Sequence, residues 1–443
     1  MSAPMQHLSD TRIGFEGHAW LRRLLNQPVN KDPMLAAIGG IPLTLKLAMD
    51  RELSLMKRAG IHPFFVFQGL TPPKKTRPFM YEDGRPMKRS AAWDALEKGR
   101  LEMANSSFLS AGFPPYPYAD YLPAVFQILD AHGIEYMRAP YSAWAQLAYL
   151  ERHPDQLIHA VYAGIEYLMF DGVDRIIINM DLERQTFTYL SKPMLLQDLG
   201  LNEEQFLDAC CLAGFEYIST FPPLHDLARQ NNNPASTDQG FSFKYAQDCV
   251  RQFRSGFNAV MAARDHAGVQ RSHYIEQFCR TRIAIKHHLI LNDQGEVAPL
   301  GYAPMYANST KPTQEEINLQ RLATPSDLAD IFGCRFPDEV YVYMSSGLIS
   351  PAGTITTLLT GQHVESSPLC NGETDEYKSL IKNLTNIRTR ALHLVVDQLN
   401  PLFKDESCAL IAWFEPNTSF SDLSRTTCRF HCSGYSRFTH NYA

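Results

Sequence analysis

The stretch Gly133-Ile-Glu-Tyr-Met-Arg-Ala-Pro140-Tyr-Ser142-Ala-Trp-Ala-Gln-Leu-Ala-Tyr-Leu150 decides how this chain folds. Its first half, Ile134 to Ala139, reads as a strand that opens after a glycine and runs into Pro140, which has no N–H with which to continue a ladder. Ser142 then offers a side-chain oxygen to a helix N-terminus, and Ala143, Leu147 and Leu150 share one face of that helix. A strand feeding directly into an amphipathic helix is half of a βαβ unit and predicts a parallel sheet with helices packed on it.

Outward from this stretch the same alternation recurs over the first ~220 residues. Upstream, Pro63-Phe-Phe-Val-Phe67 is a buried strand ended by Gln68-Gly69, and Thr11 to Glu16 is a short apolar run. Between them Gly39-Gly40-Ile41-Pro42 is expected to open a helix, with Pro42 near the first turn. Leu45, Ala48, Met49, Leu53 and Met56 form that helix's apolar face, and Gly60 ends it. One helix is expected from Ser90 to about Ser110, and another from Leu122 to Gly133. Downstream, Arg175 to Asn179 is a strand, and a helix from Glu203 ends at Gly214. After the polar stretch Gln230 to Thr237, residues 241–291 read as mostly helical, followed by a turn at Asn292 to Gly295. Glu339-Val-Tyr-Val-Tyr343 alternates like a strand, 376–399 reads as helical, and residues beyond about 415 lose apolar periodicity.

Composition bounds the function classes. The chain has 443 residues, a formal net charge of −6, 45% hydrophobic and 20% charged residues. Such values exclude wholesale disorder and a protein that coats nucleic acid by bulk charge. No apolar run reaches the ~18 residues that span a bilayer, and the N-terminus lacks a signal-peptide pattern, so no membrane association is expected. The nine cysteines are scattered, unlike a secreted disulfide framework. Cys428-Arg-Phe-His431-Cys432 lacks the second ligand pair of a structural zinc site. His287-His288 has no metalloprotease spacing. A cytoplasmic or nuclear multidomain protein is expected.

Four stretches together resemble the flap endonuclease/XPG nucleases. Gly133 to Leu150 is similar to that superfamily's internal region, which reads roughly Gly-Ile-x-Tyr-x-x-Ala-Pro-x-Glu-Ala-Glu-Ala-Gln. Pro63 to Gly69 resembles its strand ending in Asp-Gly, Ile13 to Leu21 its first strand and helix, and Leu207 to Tyr217 its helix ending in Gly-x-Asp-Tyr. The resemblance implies a PIN-like, flap-endonuclease-like α/β fold, a parallel sheet flanked by helices and followed by mostly helical domains. It also implies a cluster of carboxylates holding two Mg²⁺ ions. At those positions this chain carries Glu16, Gln68, Ser142, Trp144, Asp171, Gly172, Asp174 and Glu216. Only Glu16, Asp174 and Glu216 remain acidic there, with Asp171 beside them. Mg²⁺ depends on carboxylate charge, so no catalytic residue and no resident cofactor are expected. A weak Mg²⁺ or Mn²⁺ site at Glu16, Asp171, Asp174 and Glu216 is the alternative.

The substitutions narrow the resemblance. Ala139-Pro-Tyr-x-x-Trp144-x-Gln-Leu147 is similar to the fungal maintenance-of-killer-toxin (Mkt-type) family, as are Ala37 to Pro42, Phe206 to Cys211, Arg280 to His288 and Phe336 to Tyr343. It implies a cytoplasmic post-transcriptional regulator of mRNA translation or stability, on polysomes or in mRNP granules. The implied partners are mRNA or ribonucleoprotein particles and a poly(A)-binding-protein-binding protein of the ataxin type. The expected divisions are an XPG N-region-like part over 1–120, an internal-region-like part over 121–229, and a helical segment over 230–310. A family-specific α+β middle domain over 311–415 and an irregular tail over 416–443 follow. The family's large C-terminal domain and an additional N-terminal segment are expected to be missing from this chain. An active metal-dependent flap or structure-specific nuclease, or a pure protein-interaction module, are the competing functions.

Nucleic-acid contact has two candidate surfaces. Between Phe241 and His288 lie Lys244, Arg251, Arg254, Arg264, Arg271, Arg280, Arg282 and Lys286 against only Asp248, Asp265 and Glu276, with Tyr245, Phe253, Phe257, Tyr274 and Phe278 interleaved. Arginines could bind phosphates while rings stack on bases; alternatively the basic residues line solvated helix faces and the rings fill the core. An arch-like segment carries Lys74, Lys75, Arg77, Arg85, Lys88, Arg89, Lys98 and Arg100, diluted by five acids. Thr220 to Asp226 lacks the glycines with which the nucleases grip duplex backbone, which argues against a flap-DNA substrate.

Overall fold

In a computed structural model of the chain, the structure describes residues 1–27, 41–70, 85–110, 121–231, 243–300, 328–332, 335–351, 362–365, 374–384 and 409–412. The expectations for Lys74, Lys75 and Arg77, the polar stretch after Asn231, most of the 376–399 helix and the tail lie outside these residues. Two compact units are distinguished. One comprises 1–24, 46–83 and 123–348; the other comprises 25–45, 84–122 and 349–443. No helix among the described residues is long and apolar enough to cross a membrane.

The first unit is built on a seven-stranded sheet of order β1-β7-β6-β5-β2-β3-β4. The strands are β1 (Ser2–Pro4), β2 (Thr11–Glu16), β3 (Ile61–Phe67), β4 (Glu135–Arg138), β5 (Ala160–Tyr162), β6 (Arg175–Asp181) and β7 (Thr186–Ser191). Strands β6-β5-β2-β3-β4 run parallel, while β7 and β1 complete one edge antiparallel. The fold class is therefore the expected α/β sheet flanked by helices, with an antiparallel edge of β7 and β1, of which three-residue β1 is too short to announce itself. The chain leaves β2 toward β3 and β4 and later returns to β2's other side as β5. That reversal opens a crevice at the strands' carboxyl ends, where open parallel sheets bind ligands.

Helix α1 (Gly17–Asn26) follows β2 directly, and α2 (Leu45–Arg58) precedes β3. Helix α2 begins later than Pro42 suggested: the Pro42 carbonyl accepts from Leu45 N–H in a turn before the helix. Its expected face is nonetheless the buried one, with Leu45, Met49, Leu53 and Met56 in the core. Helix α5 (Leu122–Ala131) leads into β4, and α6 (Ala143–Arg152) packs across β2. Gly14 permits this approach. A Cβ there would lie 2.6 Å from Leu147 Cδ2 and 2.7 Å from Ile158 Cδ1. Helices α7 (Lys192–Leu199), α8 (Glu203–Ala213) and α9 (Pro222–Asn231) follow β7, and the expected end of α8 at Gly214 is observed.

Residues 243–286 form four helices: α10 (Phe243–Phe253), α11 (Gly256–Ala262), α12 (Ala267–Arg271) and α13 (Tyr274–Lys286). Beyond them a hairpin, β8 (Leu289–Leu291) and β9 (Val297–Pro299), turns through the expected Asn292–Gly295. Two short helices follow, α14 (Leu328–Phe332) and α15 (Asp338–Ser345). The strand expected at Glu339–Tyr343 is thus helical. Asp338 and Glu339 occupy its first turn, and the residues it buries are Tyr341 and Met344, a spacing of three. Negative side chains favour a helix N-terminus, and that period-three burial outweighs the alternating β-branched pattern.

In the second unit the single helix expected over 90–110 is a hairpin, α3 (Arg85–Glu97) and α4 (Leu101–Ser110). Gly99 breaks it at φ 69°. Its small core is Ala92, Ala95, Ala104 and Phe108, with Trp93 edge-on to Phe108 at 5.2 Å. A parallel pair, β10 (Gln362–Glu365) and β11 (Ala409–Ala412), also belongs here.

Replacing Gly14 by Val is expected to lower stability by roughly 1–3 kcal/mol through overpacking between β2 and α6. The urea midpoint of the variant checks this, and an unchanged midpoint would show that α6 can move away from β2.

Candidate functional site

Glu16, Gln68, Ser142 and Trp144 lie at the carboxyl ends of the central strands or at the start of the following helix, whereas Asp171, Gly172 and Asp174 precede β6 and Glu216 follows α8. Glu16 ends β2 and is buried. Both of its carboxylate oxygens are engaged by the next helix: Oε1 accepts from His18 N–H at 3.1 Å and Oε2 from Ala19 N–H at 2.6 Å. Its side chain therefore satisfies orphan donors at the α1 N-terminus. The imidazole Nδ1 of His18 stands 3.6 Å from Glu16 Oε1 and accepts from Gln68 N–H at 3.4 Å.

Gln68 follows β3, and its Oε1 accepts from Ala143 N–H at 3.0 Å, the first residue of α6. Ser142 is the expected N-cap; its Oγ accepts from Trp144 N–H at 3.2 Å. Two neutral side-chain oxygens thus serve two consecutive N–H groups of one helix. Gly69 holds this junction. Its N–H donates to the Tyr141 carbonyl at 2.8 Å, so close to the backbone after β4 that a Cβ would overlap the Ala139 carbonyl. Trp144 is buried, and its indole N–H has no acceptor.

Asp171, Gly172 and Asp174 form the loop before β6, with Gly172 at φ 72°. It is the backbone of this loop that is tied down. The Asp171 carbonyl accepts from Arg152, and the Asp174 carbonyl accepts from Lys192 N–H at 2.8 Å. Both acidic residues are exposed. Glu216 is half-buried on the tight turn closed by reciprocal Phe215–Ile218 backbone bonds. The structure therefore gathers Glu16, Gln68 and Ser142 into one hydrogen-bonded rim and leaves Asp171 and Asp174 on the surface. Among the described residues no group of three or more His, Cys, Asp or Glu side chains is placed to hold a metal ion. This donor set does not fit a pair of Mg²⁺ ions, which require several free carboxylate oxygens on one point.

One buried group beside the rim escaped the sequence reading. His288 is fully buried among Tyr141, Phe170, Tyr217 and Phe332, whose rings lie 4.9–6.4 Å from it. Tyr217 Oη is 3.3 Å from His288 Nε2. Tyr141 Oη donates to the Phe332 carbonyl at 3.1 Å, which fixes α14 against the end of β4. Burial holds the imidazole down to about 4. Nothing local marks His288: its ring neighbours come from four separate parts of the chain.

The basic residues of 241–288 divide into two groups. Arg282 and Lys286 both pair with Glu204, and Arg282 Nε also lies 2.8 Å from buried Asp208. Burial raises the Asp208 carboxyl above its ordinary range, opposed by the Gly256 N–H at 2.7 Å and by Arg282. Arg280 pairs with Glu276. Lys244, Arg251, Arg254, Arg264 and Arg271 are exposed, and Arg251 donates to the Leu199 carbonyl. Of the interleaved rings, Tyr274 and Phe278 are core, Tyr245 and Phe253 are half-buried, and Phe257 is exposed. In the second unit Arg89 is buried and Lys88 donates to the Ser110 carbonyl. The glycine-poor 220–226 segment becomes the start of α9.

Two measurements test this geometry. Ser142→Ala is expected to cost about 1 kcal/mol by removing a helix cap, read as a shift of the urea midpoint. His288 titrates near 6.5 when unfolded and about 4 when folded, so within that window the unfolded chain binds the extra proton. Stability is then expected to fall by roughly 3 kcal/mol as pH drops from 6.5 to 4. His288→Phe should remove most of that slope; an unchanged slope would place the titrating group elsewhere.

Comparison with known proteins agrees with this architecture. The profile of a family described as "Temperature dependent protein affecting M2 dsRNA replication" matches residues 325–414. A protein of Cryptococcus neoformans var. grubii named post-transcriptional regulator MKT1 is 32% identical over 425 residues, covering 94% of this chain and 52% of the relative. The Saccharomyces cerevisiae protein of the same name is 23% identical over 497 residues, covering 96% of this chain and 59% of the relative. Flap endonuclease 1 of Staphylothermus marinus is 29% identical over 201 residues, 42% of this chain and 55% of that protein. The chain spans about half the length of the curated MKT1 relatives it matches. With the family-specific profile on its 325–414 region and relatives named MKT1 aligned along nearly all of it, the chain is similar to the MKT1 family.

Proposed function

We propose that this chain is a post-transcriptional regulator of mRNA translation or stability, in which the nuclease-like unit serves as a non-catalytic, RNA-associated scaffold. The observation that carries this reading is the use made of the side-chain oxygens at the nuclease positions. Glu16 satisfies the α1 N-terminus with both carboxylate oxygens, while Gln68 and Ser142 satisfy that of α6. A divalent ion would have to displace these bonds and would find a single carboxylate, Glu16, beside a neutral amide and a hydroxyl. The names of the fungal relatives support the regulatory role. A cytoplasmic, mRNA-bound setting and a poly(A)-binding-protein-binding partner of the ataxin type follow from the family resemblance and are part of the proposal.

RNA contact is assigned to exposed Arg254, Arg264 and Arg271, of which Arg264 meets only the solvent-exposed Asp265 at 3.7 Å, rather than to Arg280, Arg282 and Lys286, which are less exposed and held by carboxylates within 3 Å. The second reading is a relaxed metal-dependent nuclease, and the exposed carboxylates of Asp171 and Asp174 are what favour it.

A single gel separates these readings. Labelled single-stranded RNA and a DNA flap are incubated with the protein in Mg²⁺, Mn²⁺ or chelator. The expected outcome is a shifted RNA and no cleavage; metal-dependent cleavage lost in Asp174→Ala would establish the nuclease instead. Reversing Arg254, Arg264 and Arg271 to Glu should weaken the RNA shift at least ~10-fold at moderate salt and flatten its salt dependence. Arg282→Ala should leave the shift in place but lower stability by roughly 2 kcal/mol, because Asp208 loses a charged partner.

A further inference from the structure

Arg138, the last residue of β4, is 4% exposed, and its Nε–H has no hydrogen-bond partner. Among the described residues no carboxylate lies against it. Its one favourable contact is the face of Phe126, 5.3 Å from the guanidinium carbon. Burial pulls it down to about 10, so it remains a cation at neutral pH. A buried charge is ordinarily paired or neutralised, and guanidinium is the side chain least able to release its proton. A cation–π contact offsets only part of the cost of taking such a group out of water. Every other strongly buried charge of this unit has a partner: Glu16 two N–H groups, Glu52 the Trp20 indole and Arg23, Asp208 the Gly256 N–H and Arg282, Lys192 the Phe170 carbonyl and Glu203.

The position is also that of a ligand group rather than a packing group. Arg138 stands at the carboxyl end of a parallel strand, opposite Phe67, one residue before the Ala139–Tyr141 backbone that Gly69 and Leu70 bond. β4 is the edge strand of the sheet. Tyr136, two residues earlier and so on the same face, is half-buried and stacks on Phe126 at 4.5 Å. Gly347, just after α15, lies against the same two rings, and the fork of the guanidinium matches a planar or tetrahedral oxyanion with two parallel hydrogen bonds.

We infer that Arg138 is the anchor of an oxyanion-binding site at the end of β4, whose ligand is a phosphate or carboxylate group supplied from outside this chain. The site does not depend on the RNA-associated reading, and its test does not involve RNA.

The test is thermal unfolding of the whole chain in chloride, inorganic phosphate or acetate at matched ionic strength and pH 7.5, for wild type, Arg138→Met and Arg138→Lys. Phosphate or acetate is expected to raise the wild-type Tm by about 2–4 °C in a saturable manner; which of the two acts identifies the ligand chemistry. Arg138→Met removes the unpaired charge with little change of volume. It is expected to match or exceed the wild-type Tm in chloride and to lose the anion response. Arg138→Lys keeps the charge without the fork and should need at least ~10-fold more anion for the same shift. An absence of any anion-specific shift in wild type, or an equal shift in wild type and Arg138→Met, would overturn the assignment. If Arg138→Met fails to fold, the Arg138→Lys titration alone decides, with an unchanged midpoint counting against the site.

Discussion

The first N–H groups of α1 and α6 need oxygen acceptors, and both helices begin at the carboxyl ends of parallel strands. That requirement organises the centre of the molecule. An unpaired buried N–H costs as much as a lost hydrogen bond, and here the nearest oxygens are Glu16, Gln68 and Ser142. Glu16 answers α1 with a charge, which suits the positive end of a helix dipole. Gln68 and Ser142 answer α6 with neutral groups. A nuclease of this type needs oxygens at the same places for metal ions. The same atoms cannot serve both demands fully, and in this chain the backbone has the stronger claim because amide and hydroxyl bring no charge with which to hold an ion.

The rest of the first unit is arranged around that rim. Gly14 lets α6 sit against β2, and Gly69 lets the backbone after β3 touch the backbone after β4. These two approaches bring Ser142 to Gln68. On the far side, Tyr217 meets His288, and the rings around His288 extend the contact to Phe332 and, through Tyr141, to Tyr341. Helices α14 and α15 are thereby tied to the end of β4. The helices from 243 to 286 attach differently, through Asp208, Glu204 and the charged residues that meet them. Their basic character is divided accordingly, part of it neutralised inside the fold and part presented to solvent.

Much of the first unit was legible because its signals are local. The strand and cap in Gly133–Leu150, the apolar strand read at 63–67, the face of α2 and the end of α8 at Gly214 all follow from periodicity and end signals that a few residues carry. The misreadings had equally physical causes. Tyr-Val-Tyr at 341–343 reads as a strand because β-branched and aromatic residues favour pleated surfaces, yet Tyr341 and Met344 find their burial at helical spacing. A single helix over 90–110 was overturned by Gly99, whose positive φ turns the chain back on itself. Strands β1 and β5, three residues each, have no periodicity to detect, and their existence depends on neighbours to pair with.

By itself the sequence determined which residues stand at the nuclease-like positions and that half of them carry no charge. It also set those strands and helices whose patterning and capping are properties of neighbouring residues. The tertiary structure alone decided where each side-chain oxygen goes, which arginines are already paired, that His288 lies in a box of rings, and that Arg138 is buried without a counter-ion. Those outcomes depend on groups tens to hundreds of residues apart meeting at fixed distances. Burial and pairing are properties of that meeting, and no local pattern contains them.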